Sequence, residues 1–211
     1  MNQRMRKPKE RSFSMNEEEK MKQGQWYDAN DEELCRQRMH AKDLCFLLNQ
    51  CLPSDLEKRN ALMKELLPHA QGRVEILSPF YTDYGHLCRI GRDTFINHNA
   101  YFMDGGTITI GAHCFIGPNC AIYTALHPLD KTRRDQGLEQ AKPVVIQDHV
   151  WLGGDVTILP GVTIGEGCVI GAKSVVTKSL PPYVLAYGNP CRIISAIEKE
   201  EDDKAKQITP F

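Results

Sequence analysis

The chain of 211 residues has a formal net charge of −1, and 25% of its residues are charged. Such a balanced charge argues against nucleic acid or an anionic membrane surface as the partner. No apolar run approaches the roughly 18 residues that a membrane-spanning helix requires. Residues 1–13 are basic but have no apolar core, so we expect a disordered leader rather than a secretory signal.

The chain has eight cysteines, and no two of them form a CxxC pair. A chain of this length is not a small secreted framework held together by disulfides. We therefore expect free, buried or partly buried thiols in a reducing compartment, which favours a cytoplasmic location.

Residues 14–72 are predicted to form an N-terminal helical region. Ser14 is the expected N-cap of the first helix and Gly24 its stop, and Ser54 with Glu57 forms a capping box for the third. The three helices are expected at residues 14–24, 31–52 and 54–67. A helical region of this size can bury only a small core of its own, so we expect it to pack on a larger domain.

Apolar side chains recur at helical spacing in the second and third predicted helices. They should form the buried face of each helix. These side chains are Leu34, Met39, Leu44, Leu47 and Leu48 in the second helix, and Leu56, Leu62, Met63, Leu66 and Leu67 in the third.

Residues 73–197 contain a repeat of six residues, which neither a helix nor an amphipathic strand produces. This period is typical of a parallel β-helix, in which three short strands form each turn and aliphatic side chains stack inside, so the fold is predicted to be mainly β. The first array is Ile90, Ile96, Phe102, Ile110, Ile116 and Ile122, and the second is Ile146, Leu152, Ile158, Ile164, Ile170 and Val176.

The repeat fails at two places. It slips by two residues at 104–106, which predicts a widened corner, and it is lost at 127–143, a polar stretch that predicts a projecting loop. A repeat explains only packing, so we expect function where the period breaks. Residues 198–211 are predicted to be a charged tail.

Several segments resemble the maltose/galactoside O-acetyltransferase group of the hexapeptide-repeat acetyltransferases. They occur in the order and at the spacing of that family and cover roughly residues 15–197. The segments are GQWYD (24–28), PFYTDYG (79–85), IGRDTFIN (90–97), IGAHCFIGP (110–118), YTALHPLD (123–130), GLEQAKP (137–143), VWLG (150–153), ILPGVTIG (158–165) and GNPCRII (188–194).

The resemblance implies a left-handed parallel β-helix and a homotrimer with three active sites, each between neighbouring subunits. It implies acetyl-CoA as the donor, a hydroxyl of a small sugar as the acceptor, and no metal. His127 would be the general base of a direct transfer, because an alcohol must lose its proton to attack a thioester and imidazole suits that task near neutral pH.

For the acceptor, the resemblance points to Asp28, Asp83 and Asn97, whose carboxylates and amide can bind sugar hydroxyls. Asp104, at the slip, is a further candidate. Each of these aspartates could instead cap a turn. Asp83 stands where some members of the family have Ser.

For the donor, the resemblance points to the outer wall of the late repeats. Gly154 would offer its N–H to the thioester carbonyl, Trp151 would flank the pantetheine arm, and Arg192 would meet the phosphates. Ala172, Thr177 and Lys178 would line the groove. A family position that is basic elsewhere corresponds to Ser195 here.

Three alternatives stay open from the sequence. A zinc enzyme of the γ-carbonic anhydrase type shares the β-helix, but it needs three converging histidines. A non-catalytic scaffold would use the same fold as a binding surface. An acetyltransferase could also act on another acceptor, such as an amino sugar, a lipo-oligosaccharide or an antibiotic.

Overall fold

The structure is a computed structural model that describes residues 15–198. The predicted leader, Ser14 and all but the first residue of the predicted tail lie outside the described residues. The helices of the described chain are α1 (Glu17–Lys22), α2 (Glu32–Gln50), α3 (Leu56–Leu66) and α4 (Lys131–Arg134).

The first three helices lie where the sequence predicts them, but two of their N-caps differ. Asn16, not Ser14, caps α1 through a capping box. Asp55, not Ser54, caps α3. In both cases a second good N-capping side chain stands one or two residues further along, and the start of helical hydrogen bonding selects it.

The buried face of α2 is only partly the predicted one. Leu34, Leu44 and Leu48 are buried as expected, whereas Met39 is 61% and Leu47 44% exposed. At 100° per residue these two side chains point away from the buried face. In the third predicted helix, Leu66 and the C-cap Leu67 are buried, but Leu56, the first residue of α3, is 66% exposed.

The helical region docks on the first turn of the β domain, which confirms the expectation that it packs on a larger domain. The side-chain amide of Asn49 in α2 donates to Phe80 O and accepts from Phe80 N, both at 2.9 Å. The buried guanidinium of Arg59 in α3 donates to Ile76 O at 3.0 Å. Both contacts satisfy backbone groups that no neighbouring turn of the solenoid covers.

Short strands make up most of the remaining chain. In chain order they are β1 (Trp26–Asp28), β2 (His69–Ala70), β3 (Val74–Ile76), β4 (Phe80–Thr82), β5 (Cys88–Ile90), β6 (Thr94–Ile96), β7 (Ala100–Met103), β8 (Ile108–Ile110), β9 (Phe115–Ile116), β10 (Ala121–Tyr123), β11 (Ala125–Leu126), β12 (Leu138–Ala141), β13 (Val144–Ile146), β14 (Trp151–Leu152), β15 (Thr157–Ile158), β16 (Thr163–Ile164), β17 (Val169–Ile170), β18 (Val175–Val176), β19 (Val184–Tyr187) and β20 (Arg192–Ala196).

Three parallel sheets wind into a solenoid of about six turns, the parallel β-helix that the period predicts. Sheet I contains β2, β5, β8, β13 and β16. Sheet II contains β3, β6, β9, β14, β17 and β19, and sheet III contains β4, β7, β10, β15 and β18. The first turn begins at His69, four residues before the predicted boundary at 73, because β2 already pairs with β5.

The repeat positions stack in register inside the solenoid. Ile146 pairs with Ile110 below it and Ile164 above it, and all three are at most 1% exposed. The small-residue positions are also buried, among them the thiols of Cys114 and Cys120. All eight cysteines are free, as predicted, although Cys35 is exposed.

Both breaks in the repeat are structured. At the slip, a Cβ on Gly105 would lie 3.2 Å from Tyr27 Oη, so the missing side chain leaves room for the N-terminal region. The sequence predicts a projecting loop at 127–143, but this stretch is not a plain loop. It contains α4 and β12, and β12 pairs antiparallel with both β11 and β1.

The solenoid ends at a hairpin, in which β20 pairs antiparallel with β19. Within residues 15–198, none of the helices is both long and apolar enough to span a membrane.

Candidate active site

A cleft of about 630 Å³ lies where the strands of sheet III end, between the solenoid and the N-terminal region. We call this edge of the solenoid the III–I corner. Its column is Asp83, Met103, Tyr123, Leu159 and Thr177, one residue from each turn. The lining of the cleft comes from the solenoid and from residues of the N-terminal region, among them Tyr27, Asn30, Arg38 and Lys42.

Asp83 forms an acidic part of the cleft wall, and hydrogen bonds to Tyr101 and Asp104 hold it in place. It accepts a hydrogen bond from Tyr101 Oη at 2.8 Å. Burial raises the pKa of Asp83, and the bond from Tyr101 opposes this rise. Asp104 is fully buried, and its Oδ1 accepts from Asp83 N at 3.0 Å, Tyr84 N at 2.8 Å and Thr82 Oγ1 at 2.7 Å. Asp104 therefore fixes the backbone that carries Asp83.

His127 follows β11 and lines the same cleft, with about half of its side chain exposed. Its Nδ1 lies 3.0 Å from Leu138 O in β12. A carbonyl can only accept, so Nδ1 donates and Nε2 carries the lone pair of the neutral ring. Nε2 faces Glu139, whose Oε1 is 3.7 Å away. The ring is thus oriented with its basic nitrogen toward Glu139.

Sequence reasoning missed the part of the cleft that the N-terminal region supplies. Tyr27 Oη donates to Glu139 Oε2 at 2.8 Å, and Arg38 Nη1 donates to Tyr84 Oη at 2.6 Å. Burial raises the pKa of Tyr84 to about 12, although Arg38 lowers it. The GQWYD and GLEQAKP segments contain Tyr27 and Glu139, but no spacing indicates that they meet.

Asp104 is buried behind the cleft lining, and two further predicted acceptor residues, Asp28 and Asn97, also lie outside that lining. Asp28 is in β1, and its Oδ1 accepts from the backbone of Asn30, which does line the cleft. Asn97 is at the other end of the sheet III strands, where its Oδ1 accepts from His98 N at 2.8 Å. The structure therefore brings together Asp83, Asp104 and His127, and it separates Asn97 from them.

Asn97 belongs to a second edge, which we call the II–III corner because the strands of sheet II end there. Its column is Asn97, Gly117, Gly153 and Gly171. Most of the predicted donor-binding residues lie at or beside this corner. Gly154 and Ala172 each follow a glycine of the column. Arg192 is exposed at the start of β20, next to Cys191, whose N–H bonds to Val175 O at the start of β18.

Trp151 stands just before the II–III corner on the outer face of sheet II. It is 55% exposed and pairs in register with Phe115, which is 57% exposed. Two neighbouring exposed aromatic side chains are a surface that a ligand or another chain would cover.

The remaining two donor-binding candidates lie at the III–I corner instead. Thr177 stands one turn above Leu159, and both Thr177 and Lys178 are exposed. A strand of sheet III separates the two corners within one chain. A single chain therefore does not unite His127 with Gly154 and Trp151.

Three family profiles match this chain. The maltose acetyltransferase hexapeptide capping motif matches residues 20–72. The bacterial transferase hexapeptide profile, with six repeats, matches residues 143–178. The hexapeptide repeat of succinyl-transferase matches residues 107–125.

Solved structures match over almost their whole length. A maltose O-acetyltransferase from Clostridium difficile 630 is 44% identical, with a TM-score of 0.85, covering 88% of this chain and 99% of its own. A galactoside acetyltransferase in complex with coenzyme A is 36% identical, with a TM-score of 0.85, covering 92% and 100%. A hexapeptide-repeat acetyltransferase from Vibrio cholerae O1 biovar eltor, complexed with acetyl coenzyme A, is 42% identical, with a TM-score of 0.81, covering 88% and 100%.

The chain belongs to the maltose/galactoside acetyltransferase group of the hexapeptide-repeat acetyltransferases. In this acetyltransferase the capping profile contains Tyr27 and Arg38, and the six-repeat profile contains Trp151 and Gly154. His127 falls between the matched repeats, in the stretch where the period is lost. The residues that line the cleft therefore come partly from outside the repeat.

The zinc alternative finds no ligand set in the described part of this acetyltransferase. Across residues 15–198, no three His, Cys, Asp or Glu side chains are placed to hold a metal ion. His113 and His149 stack with ring centroids 5.1 Å apart at an outward corner, where both have positive φ.

Proposed function

We propose that this acetyltransferase moves the acetyl group of acetyl-CoA to a hydroxyl of a small sugar of the maltose, glucose or galactoside type. The observation that carries the proposal is the geometry of His127. Its Nδ1 is fixed by Leu138 O at 3.0 Å, and its Nε2 faces a cleft lined by hydroxyl and carboxylate groups. Such groups can bind several sugar hydroxyls while the imidazole takes the proton of one.

In the acceptor site, Asp83 accepts hydrogen bonds from sugar hydroxyls, and Asp104 holds the backbone of Asp83 from behind. Asp28 fixes the Asn30 backbone at the rim of the cleft. Asn97 binds the acceptor from the II–III corner of a neighbouring subunit. The half-buried position of Asp83 favours this role, because a partly desolvated carboxylate gains more from each hydroxyl donor than an exposed one.

The reaction is a direct transfer. Nε2 of His127 takes the hydroxyl proton as the acceptor oxygen attacks the thioester carbonyl. The N–H of Gly154 donates to the oxyanion of the tetrahedral intermediate. As the intermediate collapses, the C–S bond breaks and the departing thiolate takes the proton from the imidazolium. The products are the acetylated sugar and coenzyme A, and His127 is again neutral.

For the donor, Trp151 packs against the pantetheine arm, and Ala172 and Thr177 line the groove. Lys178 and Arg192 are exposed cations that suit the phosphates of a polyanionic ligand. Ser195, in β20, cannot supply the charge found at that position elsewhere in the family. The coenzyme A and acetyl coenzyme A bound in two of the similar structures support this donor.

The active unit is a homotrimer with each site between two subunits. The separation of the III–I and II–III corners supports this, because His127 must deprotonate the hydroxyl that attacks the carbonyl bound by Gly154. A cyclic trimer can bring one corner of each subunit against the other corner of the next. We also propose a cytoplasmic location, which suits eight free cysteines.

The test is release of the coenzyme A thiol from acetyl-CoA in the presence of glucose, maltose, galactosides and thiogalactosides. We expect sugar-dependent release, and His127→Ala should lower kcat by about 10²–10⁴-fold without unfolding the protein, because the base is lost. Asp135→Asn, an exposed position on the same stretch, is the matched control and should change nothing.

Two results would contradict this function. Equal turnover of the parent protein and His127→Ala would favour the scaffold. A flat response across the sugar panel, with thiol release on an amino sugar, a lipo-oligosaccharide or an antibiotic, would move the acceptor to another class while keeping the acetyl transfer.

A further inference from the structure

Glu139 connects the N-terminal region to His127. It lies in β12, directly opposite Tyr27 in the antiparallel pairing of β1 with β12. Tyr27 is 1% exposed, and its hydroxyl donates to Glu139 Oε2 at 2.8 Å. Burial, and after it the charge of Glu139, raises the pKa of Tyr27, so this hydroxyl stays a donor over the working range of pH.

The other carboxylate oxygen of Glu139 faces the base. Oε1 lies 3.7 Å from His127 Nε2, which is too long for a hydrogen bond. The lone pair of Nε2 is therefore free for an acceptor hydroxyl. The preceding residue, Leu138, accepts the proton of Nδ1, so two successive residues of β12 face the two ring nitrogens.

Proton transfer changes the charge at this point. The neutral ring becomes an imidazolium, and its new positive charge forms next to the carboxylate of Glu139. The other ionised groups that line the cleft are Arg38 and Lys42, which oppose a new cation, and Asp83. Glu139 is three-quarters buried, so solvent screens its charge less than that of a surface acid.

We propose that Glu139 is a positioning residue that stabilises the imidazolium of His127 during proton transfer, and that Tyr27 anchors it for this purpose. The inference rests on the proposed function of His127. It also gives a role to the slip in the repeat: Gly105 has no side chain, and its missing Cβ would lie 3.2 Å from Tyr27 Oη. The break in the period thus lets the N-terminal region reach Glu139, which lies beside the base.

The test compares Glu139→Gln, Tyr27→Phe and the double variant, with Asp135→Asn as a control that removes an exposed charge from the same stretch. Glu139→Gln keeps size and hydrogen bonding but removes the charge. We expect its kcat to fall on the order of tenfold or more, with the KM values for acetyl-CoA and sugar changed by less than about twofold. Tyr27→Phe should lower kcat less. The double variant should match Glu139→Gln, because the two residues act as one unit.

Three outcomes would overturn the inference. One is an unchanged kcat for Glu139→Gln. Another is a raised sugar KM at unchanged kcat, which would make Glu139 an acceptor-binding residue. The third is a double variant whose losses multiply. If Glu139→Gln does not fold, judged by thermal unfolding, Tyr27→Phe decides alone, and an unchanged kcat there overturns the inference. His127→Ala distinguishes a failure of the proposed function from a failure of this inference. If His127→Ala stays active, the proposed function fails. If it is inactive while Glu139→Gln equals the parent, only this inference fails.

Discussion

Asp83 is a carboxylate that the fold holds in an unfavourable place. Its backbone N–H bonds to the buried Asp104, and its side chain accepts from Tyr101. Burial is the largest influence on its pKa and raises it. A residue that costs stability where a ligand would bind is typical of a functional site, because the site must keep polar groups ready for its ligand.

Asp83→Asn should raise stability and lower activity. The pKa of Asp83 in the folded protein lies above the unfolded value of about 3.9. Ionisation of Asp83 therefore destabilises the folded protein. This destabilisation is absent at low pH and is complete once the pH has risen above the raised pKa. We expect the Asn variant to gain thermal stability over the parent at pH 7.5, and to gain less at pH 4.5. Its KM for the sugar should rise.

The measurement is the melting temperature of both proteins at the two pH values, with Asp135→Asn as an exposed control that gains nothing. If the Asn variant is less stable than the parent at pH 7.5, or gains more at pH 4.5, the account of Asp83 is wrong.

Individual residues could be predicted only where a local pattern marks them. The YTALHPLD segment marks His127, and the structure places this residue in the cleft lining. Glu139 was missed, because its partner Tyr27 is 112 positions away and only the folded chain brings them together. The predicted N-caps Ser14 and Ser54 were wrong for a smaller reason: a neighbouring residue caps equally well, and the sequence does not rank the two.

Among the elements, the II–III corner depends on glycines that pack against the next turn. A Cβ on Gly153 would lie 2.7 Å from Ala172 N, a backbone atom that cannot rotate away. A Cβ on the adjacent Gly154 would meet only Pro118, at 3.4 Å or more, which is an ordinary contact. The turns can therefore stack at their present spacing only if residue 153 has no side chain, whereas residue 154 has room for one.

Gly153→Ala should destabilise the protein by about 1–3 kcal/mol, because the added methyl group forces the turns apart. Gly154→Ala is the matched variant and should change the free energy of unfolding by less than about 0.5 kcal/mol. Thermal or urea unfolding of both variants measures the difference. Equal stability of the two variants would contradict this reading of the corner.

The elements of the solenoid could be predicted well, because the same packing recurs every six residues and leaves a period in the sequence. The first strand of the solenoid and the strand within the stretch 127–143 could not be predicted as well. The strand β2 lacks the aliphatic repeat, and β12 within 127–143 forms only because β1 and β11 pair with it. Contacts of this kind join distant segments once, so they leave no period.

For the whole molecule, we propose that one chain does not contain a complete active site. His127 and Asp83 belong to the III–I corner, whereas Asn97, Trp151 and Gly154 belong to the II–III corner, across the strands of sheet III. Both corners are exposed in a single chain. The proposed cyclic trimer would join them three times, and it would cover the exposed aromatic side chains beside the II–III corner.

The most direct measurement of this claim uses hybrid trimers. His127→Ala lacks the base but keeps the donor wall, by which we mean the donor-binding residues Trp151 and Arg192. The double variant Trp151→Ala/Arg192→Ala keeps the base but lacks this donor wall. Each should be nearly inactive alone. Co-expression with two different tags, followed by purification on both, yields trimers that contain both variants. In a closed ring, one of the three sites of every hybrid pairs an intact base with an intact wall, so we predict about one third of the parent activity. Hybrid trimers no more active than the separate variants would contradict a site shared between subunits.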